Sequence, residues 1–270
     1  MATFIRPPAV AGQFYPGKPE TLLREIHSYT DVGGEKLRAL GCVVPHAGYM
    51  YSGHVAGAVY GRLELPQRFI ILCPNHTGYG EPLSIIREGR YQTPLGEVAI
   101  DSELAEELMS KDPLLSEDYD AQRHEHALEV QLPFLQSLLP SFGFVPITVG
   151  VRRYEYLEQL GTAVAEVVSA QAERVMIIAS SDMNHYETDS TTRVKDRLAI
   201  DRILALDAKG LYEVVINEQI SMCGFGPATA MLTAANWLGA KSAELIKYAT
   251  SGDISGDRKT VVGYAGIAVC

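Results

Sequence analysis

Apolar residues along this chain gather in continuous runs more than in alternation. Four runs have strand length: LRALGCVVP (37–45), RFIILCP (68–74), FGFVPITVG (142–150) and RVMIIASSD (174–182). AELIKYAT (243–250) and TVVGYAGIAV (260–269) add two strands at the C-terminal end. YQTPLGEVAID (91–101) reads as strand–turn–strand, with Pro-Leu-Gly at the bend. Between the runs lie stretches of helical character: 18–29, 52–64, 101–111, 154–171, 191–207 and 227–239. The segment 101–111 opens on Asp-Ser with acids in its first turn, a good helix start. HALEVQLPFLQSLL (126–139) is amphipathic and reads as one helix, kinked at Pro133.

Uninterrupted Val/Ile runs suit strands buried on both faces, and the intervening helices supply the cover. The pattern predicts an α/β fold. Its central sheet is mostly parallel, with some antiparallel edges, and helices cover both faces. No repeat, low-complexity tract or linker divides residues 1–270, so one domain is expected. In such sheets ligands collect at the carboxyl ends of the strands, near a topological switch point. Three runs end there on chemistry: GCVVPH delivers His46, ILCPNH delivers His76, and MIIASSDMNH delivers Asp182 and His185.

Composition narrows the functions. The chain has 270 residues, 47% hydrophobic and 21% charged, enough for a sizeable core. Its formal net charge of -10 argues against general binding to nucleic acid or anionic membrane, both polyanions. No apolar stretch reaches the ~18 residues of a membrane span. The N-terminal MATFIRPPAVAGQFYP lacks the pattern of a secretory signal. The cysteines, at 42, 73, 223 and 270, form no C-x-x-C pair and no disulfide framework, so a reducing cytoplasm is the expected location.

A lone histidine after a strand is ordinarily a loop residue. Three at equivalent places suggest a metal site, because imidazole suits iron, copper, zinc and nickel. Pro45 and Pro74 help end their strands, and glycines in PHAGYMYSG and PNHTGYG let backbone approach a ligand. Asp182 is either a cap of the next helix or a carboxylate beside a general base, His185. In HEHALEVQLPF, His126 and Glu129 share a helix face, and the spacing is not that of an H-E-x-x-H protease. His126 is the pocket candidate and His124 the structural one; Asn75 and Glu129 are further pocket or supporting residues. Cys223, in SMCGFGPATAML, precedes a helix, where backbone amides favour a thiolate of lowered pKa. Cys42 and Cys73 lie inside strands and read as inert core. Phosphate-binding glycine loops and the G-x-S-x-G elbow are missing.

Taken in order, PPAVAGQFYP, VVPHAGYMYSG, LCPNHTGYGEPLS, QTPLGEV, HEHALEVQLPFLQ, SSDMNHY and MCGFGPATAML resemble the Memo family, called AmmeMemoRadiSam system protein B in prokaryotes. The likeness runs from about residue 7 to the C-terminus. It implies the fold of class III extradiol dioxygenases, which hold a non-haem iron at the end of a parallel sheet. It implies His46, His76 and Cys223 as a metal set, Asp182 and His185 beside the metal, and His126 in the same pocket. His185 resembles the base that deprotonates catechol in ring-cleaving relatives. Those relatives place a carboxylate where Cys223 stands; a thiolate is softer and oxidisable, so ring cleavage does not come with the fold. The family name also implies an AMMECR-type protein and a radical S-adenosylmethionine enzyme as partners.

Three functions are compatible with these residues. The first is a metal-dependent redox protein or oxygenase, with iron foremost and copper or zinc as alternatives, acting on a small organic or peptide substrate. The second is a non-catalytic module binding peptide or protein in the same crevice. The third is a zinc-type hydrolase, for which two histidines and a cysteine with an open position are a legitimate set. A metal-free cysteine nucleophile, with His185 as base, is a further reading.

Overall fold

A computed structural model describes residues 4–31 and 33–270; residues 1–3 of the expected domain and residue 32 lie outside it. Among the described residues, 12 strands join one sheet. Four parallel strands form its centre, in the order Gly143–Val149, Arg68–Pro74, Val175–Ser180 and Gly41–Val44. These are the four long apolar runs, and nearly every residue in them is buried. Antiparallel pairs stand outside: Val261–Val269 against Gly41–Val44, Ala243–Thr250 against Val261–Val269, and Arg90–Thr93 against Gly96–Ile100. The mixed, mostly parallel sheet is therefore the one the sequence predicts.

Alternate side chains of each central strand enter different cores. Val43, Ile70, Leu72, Val145 and Ile177 pack on one face with helices Tyr154–Ala170 and Phe225–Trp237. Cys42, Val44, Phe69, Ile71 and Ile178 pack on the other with helices Pro19–Thr30, Tyr49–Arg62 and Leu132–Leu138. Cys42 and Cys73 are fully buried, in keeping with inert core residues. Among the described residues no helix is long and apolar enough to cross a membrane.

The helices differ from the expected set in three places. The stretch 126–139 is not one kinked helix but two short ones, His126–Glu129 and Leu132–Leu138, with Pro133 in the first turn of the second. Proline has no N–H to continue the first helix, but its fixed φ suits the start of another. Helix Ala208–Asn217, capped by the Asp207 side chain on Gly210 N, has no counterpart in the expected set. Helix Tyr49–Arg62 also begins three residues before the expected Ser52.

Candidate metal centre

The strand Val175–Ser180 lies between Arg68–Pro74 and Gly41–Val44, with Val44 opposite Ser180 and Leu72 opposite Ala179. The chain segments carrying His46, His76 and Asp182 therefore leave the sheet side by side. Cys223 reaches them from the start of helix Phe225–Trp237. Gly224 makes that approach possible: a Cβ there would stand 2.3 Å from the Ser180 carbonyl oxygen. Gly224 N donates to Ser181 Oγ at 3.0 Å, and Asp182 N donates to Cys223 Sγ at 3.3 Å. These contacts set Cys223 Sγ 3.1 Å from His46 Nε2.

Donor atoms of His46, His76 and Cys223 all lie within 4.8 Å of one another. Metal–nitrogen and metal–sulfur bonds of about 2.1 and 2.3 Å span about 3.1 Å at a right angle and about 4.4 Å when opposed. Shifts of a few tenths of an ångström thus suffice to bring the three donors onto one ion. The ring orientations fit such an ion. Ser180 Oγ donates its proton to Ala127 O at 2.6 Å and accepts from Gln131 Nε2 at 2.9 Å. It can then only accept from His46 Nδ1, also at 2.9 Å, which leaves the His46 lone pair on Nε2. Glu125 does the same for His76. Its Oε1 lies 2.9 Å from His76 Nδ1 and its Oε2 accepts from His76 N at 2.6 Å. Both imidazoles are thereby oriented through Nδ1 and left free at Nε2, the arrangement usual around metal-ligating histidines.

A family model described as "Memo-like protein" matches residues 6–268. The chain belongs to the Memo family. A MEMO1 family protein of Methanosarcina mazei is 45% identical over 267 residues, covering 98% of this chain and 99% of that one. One from Sulfolobus acidocaldarius is 42% identical over 280 residues, covering 97% and 98%. Among solved structures, an uncharacterized protein of Escherichia coli K12 superposes with a TM-score of 0.57 at 12% identity, over 86% of this chain and all (100%) of that one. That likeness concerns the fold alone.

In this Memo chain the histidines are tuned unequally. Burial, reinforced by neighbouring His76, His126 and His185, holds the His46 pKa well below the ordinary imidazole value, so the ring is neutral. Burial also pushes His76 down, but its hydrogen bond to Glu125 and that carboxylate's charge outweigh it and leave His76 raised. Burial lowers His126 against the opposing charge of Glu125.

Cys223 overturns one expectation. Its pKa is not lowered but pushed well above the thiol value, by burial and then by the charge of Asp182. Amides of Asp182 and Gly224 favour the thiolate but do not prevail. An ionised Cys223 thus needs a cation beside it, which disfavours a metal-free nucleophile. Its hydrogen-bond partners are His46 Nε2 and the Asp182 backbone rather than His185.

Asp182 also does something other than orient the base. Its Oδ1 accepts from His46 N at 2.8 Å and Ala47 N at 3.3 Å, locking the turn that carries His46. The ring of His185 is oriented instead by the Ser221 carbonyl, 3.0 Å from Nδ1. Glu129 is not among the described residues lining the crevice. Fully buried, it accepts from Ala9 N, Val10 N, Tyr15 Oη and the Arg6 guanidinium, fastening the N-terminal segment to the domain. Asn75 spends its side chain on its own loop, Thr77 to Tyr79. His124 is exposed.

The crevice above the donors has a volume of about 450 Å³. His46, His76, His126, Asp182 and His185 line it together with the aromatic rings of Phe14, Tyr51 and Tyr186. Phe14 packs against His126 with ring centroids 4.7 Å apart, so the segment held by Glu129 supplies part of the pocket. Sequence reasoning missed Glu125, Ser180, Gln131 and Ser221. Only Glu125 carries a local signal: it caps helix His126–Glu129 by accepting from Ala127 N, and it stands between two histidines.

Proposed function

We propose that this Memo protein is a metal-dependent redox protein of the oxygenase type, its non-haem metal held by His46, His76 and Cys223. Iron is the first choice, with copper and zinc as alternatives, and the substrate is a small organic molecule or peptide. The observation that carries this reading is the convergence of three donors whose supporting hydrogen bonds free each imidazole Nε2. The high thiol pKa of Cys223 supports it too, because a cation is what such a thiol needs in order to ionise.

A metal held by His46, His76 and Cys223 would supply a redox and Lewis-acid centre. The chain's own residues supply the rest. With Nδ1 committed to Ser221 O, His185 offers Nε2 to take a proton from a substrate hydroxyl, thiol or amide. The rings of Phe14, Tyr51 and Tyr186 favour a flat or apolar substrate face. No Lys or Arg is among the described residues lining the crevice, so a substrate needing a fixed cation from the protein is disfavoured.

The test is metal content after anaerobic purification, for the wild type beside His46→Ala, His76→Ala and Cys223→Ser. Near-stoichiometric iron or copper, lost in all three variants, is the expected result. Zinc with the same pattern moves the function to hydrolysis. No metal in the wild type, even after reconstitution with iron, copper and zinc, removes the ligand assignment; the crevice is then a peptide-binding site.

A further inference from the structure

Asp196 takes no direct part in the site described above. It lies on helix Asp189–Leu204 and is fully buried. A carboxylate there is costly, because it leaves water for a packed interior, and a buried polar group is tolerated only with partners. Its partners are specific. Oδ1 accepts from Asn184 N at 2.8 Å, and Oδ2 accepts from Tyr248 Oη at 2.7 Å. Space for it comes from Gly263, where a Cβ would stand 1.8 Å from Asp196 Oδ2.

Asn184 directly precedes His185. Its Oδ1 accepts from Ser221 N at 3.1 Å and from Ser221 Oγ at 3.0 Å. Ser221 in turn holds His185 twice. Its Oγ accepts from His185 N at 2.7 Å, and its carbonyl faces Nδ1 at 3.0 Å. A carbonyl only accepts, so Nδ1 carries the proton and Nε2 stays a base. The next residue, Tyr186, has φ 62°, a left-handed conformation costly for a bulky side chain. Such backbone persists where its surroundings hold it.

We propose that Asp196 is the positioning residue of the His185 base: through Asn184 and Ser221 it fixes the orientation and tautomer of a ring it does not touch. This rests on the assignment of His185 as base and extends it into the layer beneath the pocket. The same clasp joins the loop of His185 to the segment that delivers Cys223, two residues after Ser221. One buried carboxylate therefore sets the base in place relative to the proposed ligands.

The test reads the imidazole nitrogens directly, by long-range 1H–15N NMR on the full-length, zinc-loaded chain. Wild type should show His185 in the single tautomer protonated at Nδ1. Asp196→Asn keeps an oxygen for the Asn184 amide and should retain that signature. Asp196→Ala should lose it, giving a mixed tautomer population, while zinc content stays at the wild-type level. A wild-type tautomer in Asp196→Ala would overturn the proposal. So would loss of the signature in Asp196→Asn with the fold intact. If Asp196→Ala does not fold, Asn184→Ala cuts the same chain one link on; an unchanged tautomer there overturns it equally. A wild type that takes up no zinc bears on the choice of metal and not on this proposal, since the same comparison can be made on the metal-free chain.

Discussion

Glu129→Ala tests whether the N-terminal segment is a clamped part of the pocket wall. Glu129 is fully buried and Arg6 is 1% exposed, and they pair directly. Alanine would leave the guanidinium with the carbonyls of Gln122 and Glu125 and the face of the Tyr91 ring, and without its paired carboxylate. Removing one partner of a buried ion pair costs about 3–5 kcal/mol. Ala9 N, Val10 N and Tyr15 Oη would lose their acceptor as well, although water entering the vacated space offsets part of that. A loss of about 4 kcal/mol is expected, which at about 2–4 °C per kcal/mol lowers the melting temperature by about 8–16 °C. Urea and thermal unfolding would measure it. Replacing both partners, Arg6→Met with Glu129→Leu, should recover the part of the loss that comes from the orphaned charge, while Ala9 N, Val10 N and Tyr15 Oη still lack their acceptor. A single variant within about 1 kcal/mol of wild type would refute the reasoning. So would a double variant as unstable as the single one. Phe14 offers a second readout: with the clamp gone, its packing on His126 should loosen.

Other outcomes rest on the same geometry. Glu125→Gln removes the charge behind His76 and should weaken metal binding about 10–100-fold in chelator competition; unchanged affinity would show that Glu125 does not support the ligand. Burial pushes the Asp196 carboxyl up to about 7 against opposing hydrogen bonds from Tyr248 and Asn184. The folded state therefore holds a proton that the unfolded chain, near pKa 3.9, has released. This group's contribution is complete below about pH 4 and falls by roughly 4 kcal/mol as pH rises through about 7. Asp196→Asn should thus gain stability relative to wild type between pH 5 and 8 in urea unfolding, and parallel pH profiles would count against it. Gly224→Ala forces a Cβ to 2.3 Å from the Ser180 carbonyl, so the strand end and helix start must separate. A loss of about 1–3 kcal/mol is expected, together with reduced metal uptake; normal uptake would mean that Cys223 does not depend on this close approach.

Much of the fold was legible because its cause is local. Uninterrupted Val/Ile runs such as RFIILCP suit only strands covered on both faces, and they became the central strands. Strand ends in turn announced His46 and His76, since the segments just past the carboxyl ends of such strands border the crevice. Local signals failed where they conflicted or were weak. Pro133 broke a helix instead of bending it, and the Asp207 cap was not enough to reveal helix Ala208–Asn217.

What joined the residues into a site was decided only in three dimensions. Whether the strands of His46, His76 and Asp182 are neighbours depends on crossover connections that no periodicity records, and 147 positions separate His76 from Cys223 along the chain. A resemblance supplied that grouping; the structure supplied its geometry. Charge states lay further still beyond the sequence. A helix start argues for a lowered Cys223 pKa, yet burial and the Asp182 charge raise it. Backbone pattern is governed by neighbours along the chain, so sequence reveals it. Hydrogen-bond partners and desolvation are governed by neighbours in space, so Ser180, Gln131 and Ser221 became visible only once the chain had folded around them.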